Sequence, residues 1–250
     1  MVSYDSYEPV RPRARVGFII PSSNRMVEPQ MHRYMPEGVV PHITRLDMHN
    51  MPLTELAPKL LEAAALLAKS KCDVTVFQCT GSSMSGGVEM EKRVVRDMST
   101  LTGRPALSAA SSVTAALQAL GARKLVFISE NEQAGHDKKA AFLREAGYEL
   151  LASKAAELPG SDTYCVTPPQ FWYDLAMSQR RDDADAVFIS CANIHSIDVI
   201  EEIERDLKKP VITSNQAALW HALRTIGIND TVPSLGKLLT LKGAARTAAA

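Results

Sequence analysis

The chain has 250 residues, of which 46% are hydrophobic and 22% are charged, a composition typical of one large or two small globular domains and not of a disordered chain. Its 28 basic and 28 acidic residues balance, so the overall charge offers no attraction for nucleic acid or for an anionic membrane. The sequence contains no apolar run of about 18 residues, and residues 1–15 contain no apolar signal-peptide core, which predicts a cytoplasmic protein.

Short segments rich in β-branched residues alternate along the chain with segments rich in alanine and leucine. The strands of the first half are predicted at residues 15–20, 42–48, 73–79 and 105–108, and its helices at residues 53–70, 88–100 and 112–120. The strands of the second half are predicted at residues 124–129, 148–153, 185–191 and 210–214, and its helices at residues 138–146, 168–181 and 215–227. This alternation predicts an α/β fold in which helices cover both faces of parallel sheets.

The same succession of segments begins a second time at residue 124. Three blocks recur in one order, roughly 110 residues apart: residues 15–24 with 124–133, residues 73–83 with 185–195, and residues 105–121 with 210–227. We interpret the recurrence as duplication of an α/β unit, although βα units also share a generic pattern. Duplication predicts two pseudo-symmetric halves with the active site in the cleft between them. The halves are predicted at residues 15–115, completed by residues 216–242, and at residues 116–215.

The four cysteines include no CxxC pair, so neither a disulfide framework nor a zinc site is predicted. Cys72 and Cys165 are interpreted as structural. Cys79 and Cys191 each end a predicted buried strand at matching positions of the two halves. Each is predicted at a strand-to-helix turn, where the N-terminus of the following helix would favour the thiolate. We therefore predict that both are catalytic, the alternative for each being a buried structural thiol.

Small and polar residues follow several of the predicted strands. They are Ser22, Ser23 and Asn24 in the first turn, Thr80, Gly81 and Ser82 after Cys79, and Ala192 and Asn193 after Cys191. Their hydroxyls, amides and backbone N–H groups suit carboxylate oxygens, although the same residue types are common in ordinary turns and caps. Because the carboxyl ends of parallel strands meet at one edge of a sheet, we predict that these residues bind a small carboxylate.

The sequence offers no motif for a cofactor. It lacks HExxH, the loop TGSSMSGG at residues 80–87 lacks the lysine of a phosphate loop, and no lysine stands out as a Schiff-base candidate. We therefore expect no metal, nucleotide, flavin or pyridoxal cofactor and no nucleic-acid partner. His195, which closely follows Cys191, is interpreted as a turn or helix-start residue rather than a general base, and the role of His136 is left open.

Four motifs connect the chain to a known family. They are PSSN from Pro21, CTGSSMSGG from Cys79, FISCAN from Phe188 and KPVITSNQAALWHALR from Lys209, and together they span nearly the whole chain. They resemble the aspartate/glutamate racemase superfamily and, within it, the branch of maleate cis-trans isomerases and arylmalonate decarboxylases. The resemblance implies that Asn24 hydrogen-bonds a substrate carboxylate, that Cys79 is the nucleophile, that Cys191 is the opposing acid and base, and that the protein is a homodimer.

The resemblance also implies a reaction. For maleate, the thiolate of Cys79 would add to the double bond, the resulting single bond would rotate, and elimination would release fumarate, while Cys191 supplies and removes a proton. Two cysteines favour an isomerase or a racemase, because arylmalonate decarboxylases keep only the second.

One segment departs from the family pattern. The family usually has a proline–tyrosine pair after the strand at residues 124–129 and an asparagine soon afterwards. This chain instead has Ser129, Glu130, Asn131 and Glu132, with His136 near the asparagine position. Asn131 is included in the predicted substrate site. A substrate with an amino or another donor group would suit Glu130 or Glu132 if either faces the cleft.

These residues are compatible with several functions. The leading hypothesis is a cofactor-independent cis-trans isomerase of a small dicarboxylate. A second is a racemase or epimerase of an acidic amino-acid derivative, in which the two thiols exchange a Cα proton without a covalent intermediate. Less favoured are an arylmalonate-type decarboxylase and a non-catalytic small-ligand sensor, which would bind its ligand without turnover.

Overall fold

The computed structural model describes residues 11–48, 51–232 and 234–243. Its first half contains the strands β1 (Ala14–Pro21), β2 (Val39–Leu46), β3 (Val74–Phe77) and β4 (Ala106–Ser108) and the helices α1 (Val27–Tyr34), α2 (Leu53–Lys69), α3 (Thr80–Met84), α4 (Gly87–Thr102) and α5 (Ala109–Ala119). Its second half contains the strands β5 (Lys124–Ser129), β6 (Glu149–Ala155), β7 (Ala186–Ile189) and β8 (Val211–Thr213) and the helices α6 (Gln133–Glu145), α7 (Ser161–Tyr164), α8 (Pro169–Ser178), α9 (Ile200–Leu207) and α10 (Ser214–Thr225). Short 3-10 helices lie at Ser196–Val199 and Lys237–Thr240.

The described strands form two four-stranded sheets of identical topology. Their orders are β2-β1-β3-β4 and β6-β5-β7-β8, and every neighbouring pair is parallel. The strands β5, β6, β7 and β8 therefore occupy the same positions in the second sheet as β1, β2, β3 and β4 occupy in the first. The predicted α/β fold with two pseudo-symmetric parallel-sheet halves is confirmed.

The central strands are buried because they consist almost entirely of apolar residues, as expected for sheets covered on both faces. In β1, Phe18 and Ile19 point to opposite faces, because side chains alternate along a strand. Ile19 packs with α2 and α4, whereas Phe18 shares a larger core with Phe127 of β5 and Phe188 of β7. The two halves are thus joined through a common core.

Helix α10 strengthens this connection. It follows β8 of the second sheet, yet it packs against α5 and also contacts β3 of the first sheet. The residues that begin α10 are consequently close to the carboxyl ends of strands in both halves. The predicted boundaries of the halves, near residues 115 and 215, stay predictions.

All eight strands were predicted, but four helices were not. The sequence pattern of α1 places the buried residues Val27, Met31 and Tyr34 on one face, and α9 similarly buries Ile200, Ile203 and Leu207. This helical spacing could have revealed both helices, although each has only eight residues. Helices α3 and α7 have five and four residues, too few to show a periodic pattern.

Several boundaries of the described elements also differ from those predicted, most of them by one to three residues. The strand predicted from residue 42 begins at Val39, and the helix predicted from residue 138 begins at Gln133. The second shift brings the whole first turn of α6 close to the carboxyl end of β5. None of the helices in the described ranges is long and apolar enough to cross a membrane.

Candidate active site

A cavity of about 830 Å³ lies where the carboxyl ends of the two sheets meet. All the residues predicted for the site line this cavity: Ser22, Ser23, Asn24, Cys79, Thr80, Gly81, Ser82, Asn131, Cys191, Ala192 and Asn193. Chain folding therefore brings together side chains from both halves that are far apart in sequence. Their individual roles stay predictions.

Cys79 follows β3 and is the N-cap residue of α3. Its Sγ lies 3.2 Å from the Oγ of Ser82. Burial raises the pKa of the Cys79 thiol above its ordinary value, while hydrogen bonding by Ser82 and the positive charge of Lys139 act in the opposite direction. The residue is only partly buried and lines the cavity.

Cys191 follows β7 and adopts an unusual backbone conformation. Its φ is +120°, a value that costs free energy for any residue other than glycine. The Sγ of Cys191 accepts a hydrogen bond of 3.2 Å from the backbone N–H of Asn193. Burial raises the pKa of this thiol well above its ordinary value, and the negative charge of Glu130 raises it further.

The predicted strand-to-helix turn is present after Cys191, whereas α3 begins directly after Cys79. Residues 192–195 form bends, and the 3-10 helix starts only at Ser196. The physical reason is that backbone N–H and C=O groups of this loop form hydrogen bonds with side chains instead of with one another in a helix. The N–H of Asn193 is directed to the sulfur, and the carbonyl groups of Ala192 and Ile194 accept from side-chain amides.

Those amides form a buried network that holds the Cys191 loop against the first half. Asn24 and Asn215 each donate from Nδ2 to the carbonyl of Ala192, at 2.9 and 3.1 Å. Gln30 donates to the carbonyl of Ile194 at 3.0 Å and accepts from Asn215 at 2.6 Å. The position of the second cysteine is therefore determined by residues of the first half and by the start of α10.

Asn24 has a structural part in addition to its predicted binding role. Its Oδ1 accepts the backbone N–H groups of Met26 and Val27, which caps the start of α1. An amide nitrogen carries two hydrogens, and one of them is used by Ala192. One N–H of Asn24 is thus available to a substrate carboxylate.

A direct hydrogen-bonded path joins the two cysteine loops. The hydroxyl of Thr80, next to Cys79, donates to Oγ of Ser214 at 2.8 Å, and the same oxygen accepts the backbone N–H of Cys191 at 3.1 Å. Ser214 is the first residue of α10. The hydroxyl of Ser214 therefore holds the strained backbone at Cys191 and also contacts Thr80 beside the first cysteine.

The cavity contains a buried ion pair that the sequence did not reveal. Nζ of Lys139 lies 2.7 Å from both Oε1 and Oε2 of Glu130. The side chains are 2% and 6% exposed, and within the described ranges this is the one ion pair with two buried partners. Glu130 faces the cavity, whereas the exposed Glu132 is not in its lining. Lys139 was missed because nothing in the sequence distinguishes it from the adjacent Lys138, which is exposed.

Tyr164 of α7 was also not predicted. It lines the cavity, and its hydroxyl accepts a hydrogen bond of 3.3 Å from Nδ2 of Asn131. Burial and the charge of Glu130 raise the pKa of Tyr164 to about 12, so the phenol keeps its proton and can donate it in a hydrogen bond. A single turn of helix gave no sequence signal for this residue.

The two histidines considered in the sequence lie outside the cavity lining. His136 is buried between Oγ of Ser129 and Oγ of Ser153, each 2.7 Å from a ring nitrogen, and burial lowers its pKa. His195 is the N-cap residue of the 3-10 helix and contacts Asp198 and the carbonyl of Cys165. Cys72 and Cys165 are buried away from the cavity lining.

The family follows from a comparison with known proteins. A sequence model of the arylmalonate decarboxylase family matches residues 16–239. The chain belongs to this family. It is therefore an enzyme, and the suspected membership of the maleate isomerase and arylmalonate decarboxylase branch is confirmed.

Maleate isomerases are among the most similar relatives. The enzyme of Geobacillus stearothermophilus is 24% identical, with 91% of this chain and 98% of the relative covered. A crystal structure of a Pseudomonas putida maleate isomerase mutant with maleate superimposes with a TM-score of 0.85 at 24% identity, covering 91% of this chain and 97% of that chain. A Nocardia farcinica maleate cis-trans isomerase mutant with a covalently bound succinylcysteine intermediate gives 0.84 at 24% identity, covering 91% and 98%. The last two comparisons establish the shared fold.

Proposed function

We propose that this enzyme is a cofactor-independent cis-trans isomerase of a small dicarboxylate of the maleate type. The observation that carries the proposal is that Cys79 and Cys191, each at the carboxyl end of a central strand of its own sheet, line one cavity. The maleate isomerases among its relatives support the substrate class. A cytoplasmic location and homodimerisation stay predictions.

The proposed reaction uses the two thiols in different protonation states. The Cys79 thiolate adds to one alkene carbon, and the electron pair of the double bond moves onto the neighbouring carbon. Cys191 gives its proton to that carbon, which leaves a thioether with a rotatable single bond. After rotation, the Cys191 thiolate removes the proton and the Cys79 thiolate departs as the trans double bond forms. The succinylcysteine of the Nocardia farcinica mutant supports such a thioether.

The cavity wall provides neutral donors for the two carboxylates. They are the hydroxyl groups of Ser22 and Ser23 and the second N–H of Asn24, whereas the hydroxyl of Thr80 already donates to Ser214 and that of Ser82 bonds to Cys79. Lys138 lies exposed on the cavity wall and adds a positive charge. Hydrogen bonds from neutral donors to a carboxylate are strengthened by its charge, so a dianion can bind although Lys139 is already paired with Glu130.

One observation favours a second candidate. Glu130 faces the cavity and bears a negative charge, which suits a substrate with an ammonium or other N–H group. In a racemase of an acidic amino-acid derivative, one thiolate would remove the Cα proton and the opposite thiol would return one to the other face. This chemistry leaves no covalent adduct on either cysteine.

Proton NMR in deuterated water tests both candidates. The protein is incubated separately with maleate, with an acidic amino acid and with an arylmalonate, and isomerisation, α-deuteration and loss of carbon dioxide are followed. The proposal expects fumarate from maleate and, after acid quenching, a substrate-sized adduct on Cys79 by mass spectrometry. Cys72→Ala is the matched control, because it removes a thiol outside the cavity. Deuteration of the amino acid without an adduct would establish the racemase and overturn the isomerase.

A further inference from the structure

The buried ion pair between Lys139 and Glu130 has a defined direction in the cavity wall. Strands β5 and β7 pair in parallel with Ile128 opposite Ile189, and the N–H of Ser190 bonds to the carbonyl of Ile128 at 2.8 Å. Continuing this register by two residues sets Glu130 opposite Cys191. The carboxylate end of the pair therefore lies on the side of the second cysteine.

The ammonium end lies on the side of the first cysteine. Lys139 belongs to α6, which packs against α3, the helix that starts immediately after Cys79. The Cε of Lys139 lies 3.7 Å from the position that a Cβ on Gly81 would occupy. The ion pair thus spans the wall from the loop of Cys79 to the loop of Cys191.

In a poorly solvated cavity wall, an ion pair has opposite electrostatic effects on groups that lie near its two ends. We propose that the Lys139–Glu130 pair makes the two cysteines chemically unequal, with Lys139 stabilising the Cys79 thiolate and Glu130 retaining the proton on Cys191. Both are positioning residues that act through the thiols. The effect on the thiols does not depend on the proposed function. Only its catalytic role rests on that function, namely that the nucleophile and the acid are assigned before substrate binds.

The effects of the two charges on the pKa values of both thiols agree in direction with this proposal. At Cys79 the charge of Lys139 outweighs that of Glu130, so the pair lowers a pKa that burial raises. At Cys191 the charge of Glu130 outweighs that of Lys139, so the pair raises the pKa further. The other charged or titratable side chains in the cavity lining are Asp47, Lys138 and Tyr164. Of these, Tyr164 keeps its proton because its pKa is about 12.

The test measures the alkylation rates of the two thiols and needs no substrate. Parent and the double variant Glu130→Gln with Lys139→Met are alkylated with iodoacetamide between about pH 6 and pH 10, and peptide mass spectrometry gives a separate rate for Cys79 and Cys191. Replacing both partners leaves no uncompensated buried charge, so the fold should tolerate the change. We expect the ratio of the Cys79 rate to the Cys191 rate near neutral pH to fall about tenfold or more.

The control removes an exposed ion pair of the same types. Glu89→Gln with Lys92→Met neutralises a pair on the surface of α4 and should leave the ratio unchanged. If the first double variant does not fold, the exchanged pair Glu130→Lys with Lys139→Glu serves, because it keeps two paired buried charges and reverses their direction, which again lowers the ratio. A ratio within about twofold of the parent in the folded variant overturns the proposal.

The outcome separates this inference from the proposed function. A changed alkylation ratio in a protein that does not isomerise maleate would support the ion pair's effect and reject the substrate. An active isomerase whose alkylation ratio is insensitive to the pair would retain the function and reject the inference.

Discussion

The two cysteine loops occupy equivalent places in the duplicated fold but differ in almost every physical property. Cys79 has an extended backbone with φ of −142°, precedes a helix directly and is partly exposed. Cys191 has φ of +120°, precedes a series of bends and is 7% exposed. Equivalence in topology therefore fixes where the sulfurs lie, while local contacts decide what each sulfur can do.

The difference arises from the side chains that contact each loop. The sulfur of Cys79 contacts Ser82 in the helix that follows it, and the neighbouring Thr80 bonds to Ser214 of α10. The Cys191 loop is held by Asn24 and Gln30 from the first half and by Asn215 from α10. An accessible thiol suits a nucleophile, and a rigidly held, buried thiol suits a proton donor.

Loss of the nucleophile should have the largest effect. Cys79→Ala is expected to reduce kcat/KM for maleate by about a thousandfold or more, because binding alone cannot replace a covalent step. Steady-state assays measure the loss, and Cys72→Ala provides the comparison with a buried thiol outside the cavity. Only a tenfold reduction would remove Cys79 from the nucleophilic role.

The pH dependence of kcat/KM should reflect the different pKa values of the two thiols. Because burial raises the pKa of Cys79, its thiolate fraction and hence kcat/KM should increase about tenfold per pH unit over the neutral range. Activity should decline only at a higher pH, where Cys191 with its still higher pKa loses its proton. A rate that is constant from about pH 6 to pH 8 would contradict a raised pKa at the nucleophile.

Breaking the path between the loops should have a smaller effect. Ser214→Ala removes the acceptor for the N–H of Cys191 and for the hydroxyl of Thr80, leaving a buried N–H without a partner. We expect a loss of about 1–3 kcal/mol in the free energy of unfolding and about a tenfold decrease in kcat. Denaturant titration and kinetics measure the two. Ser178→Ala is the control, because its exposed hydroxyl bonds only locally within the described residues, to the carbonyl of Leu175 and to the side chain of Gln179.

The smallest effect concerns backbone strain. At Cys191, glycine should be more stable than alanine by about 1 kcal/mol, because φ is positive there. At Cys79 the order should reverse by about 0.5–1 kcal/mol, because glycine only adds entropy to the unfolded chain. Urea unfolding of the four variants gives both differences. The same order at both positions would show that the two loops are not conformationally distinct.

Much of the site was accessible from the sequence because it follows from topology. Cys79 and Cys191 closely follow strands at matching places in a repeat, so they must lie at the carboxyl edges of their sheets, as must the turn around Asn24. The fold class followed from the alternation of strand and helix patterns. Helices α1 and α9 were overlooked although their apolar spacing was present, and the short α3 and α7 carried no such spacing.

What the sequence by itself determined was the doubled α/β architecture, the two cysteines and the polar turns around them, because hydrophobic periodicity and the succession of strand and helix segments are local properties that repeat along the chain. The tertiary structure alone decided that Lys139 is buried against Glu130, that Tyr164 enters the cavity and that Cys191 is strained and fixed by Ser214. These features depend on contacts between residues distant in sequence. Their energies arise from burial and charge proximity, which no local pattern records.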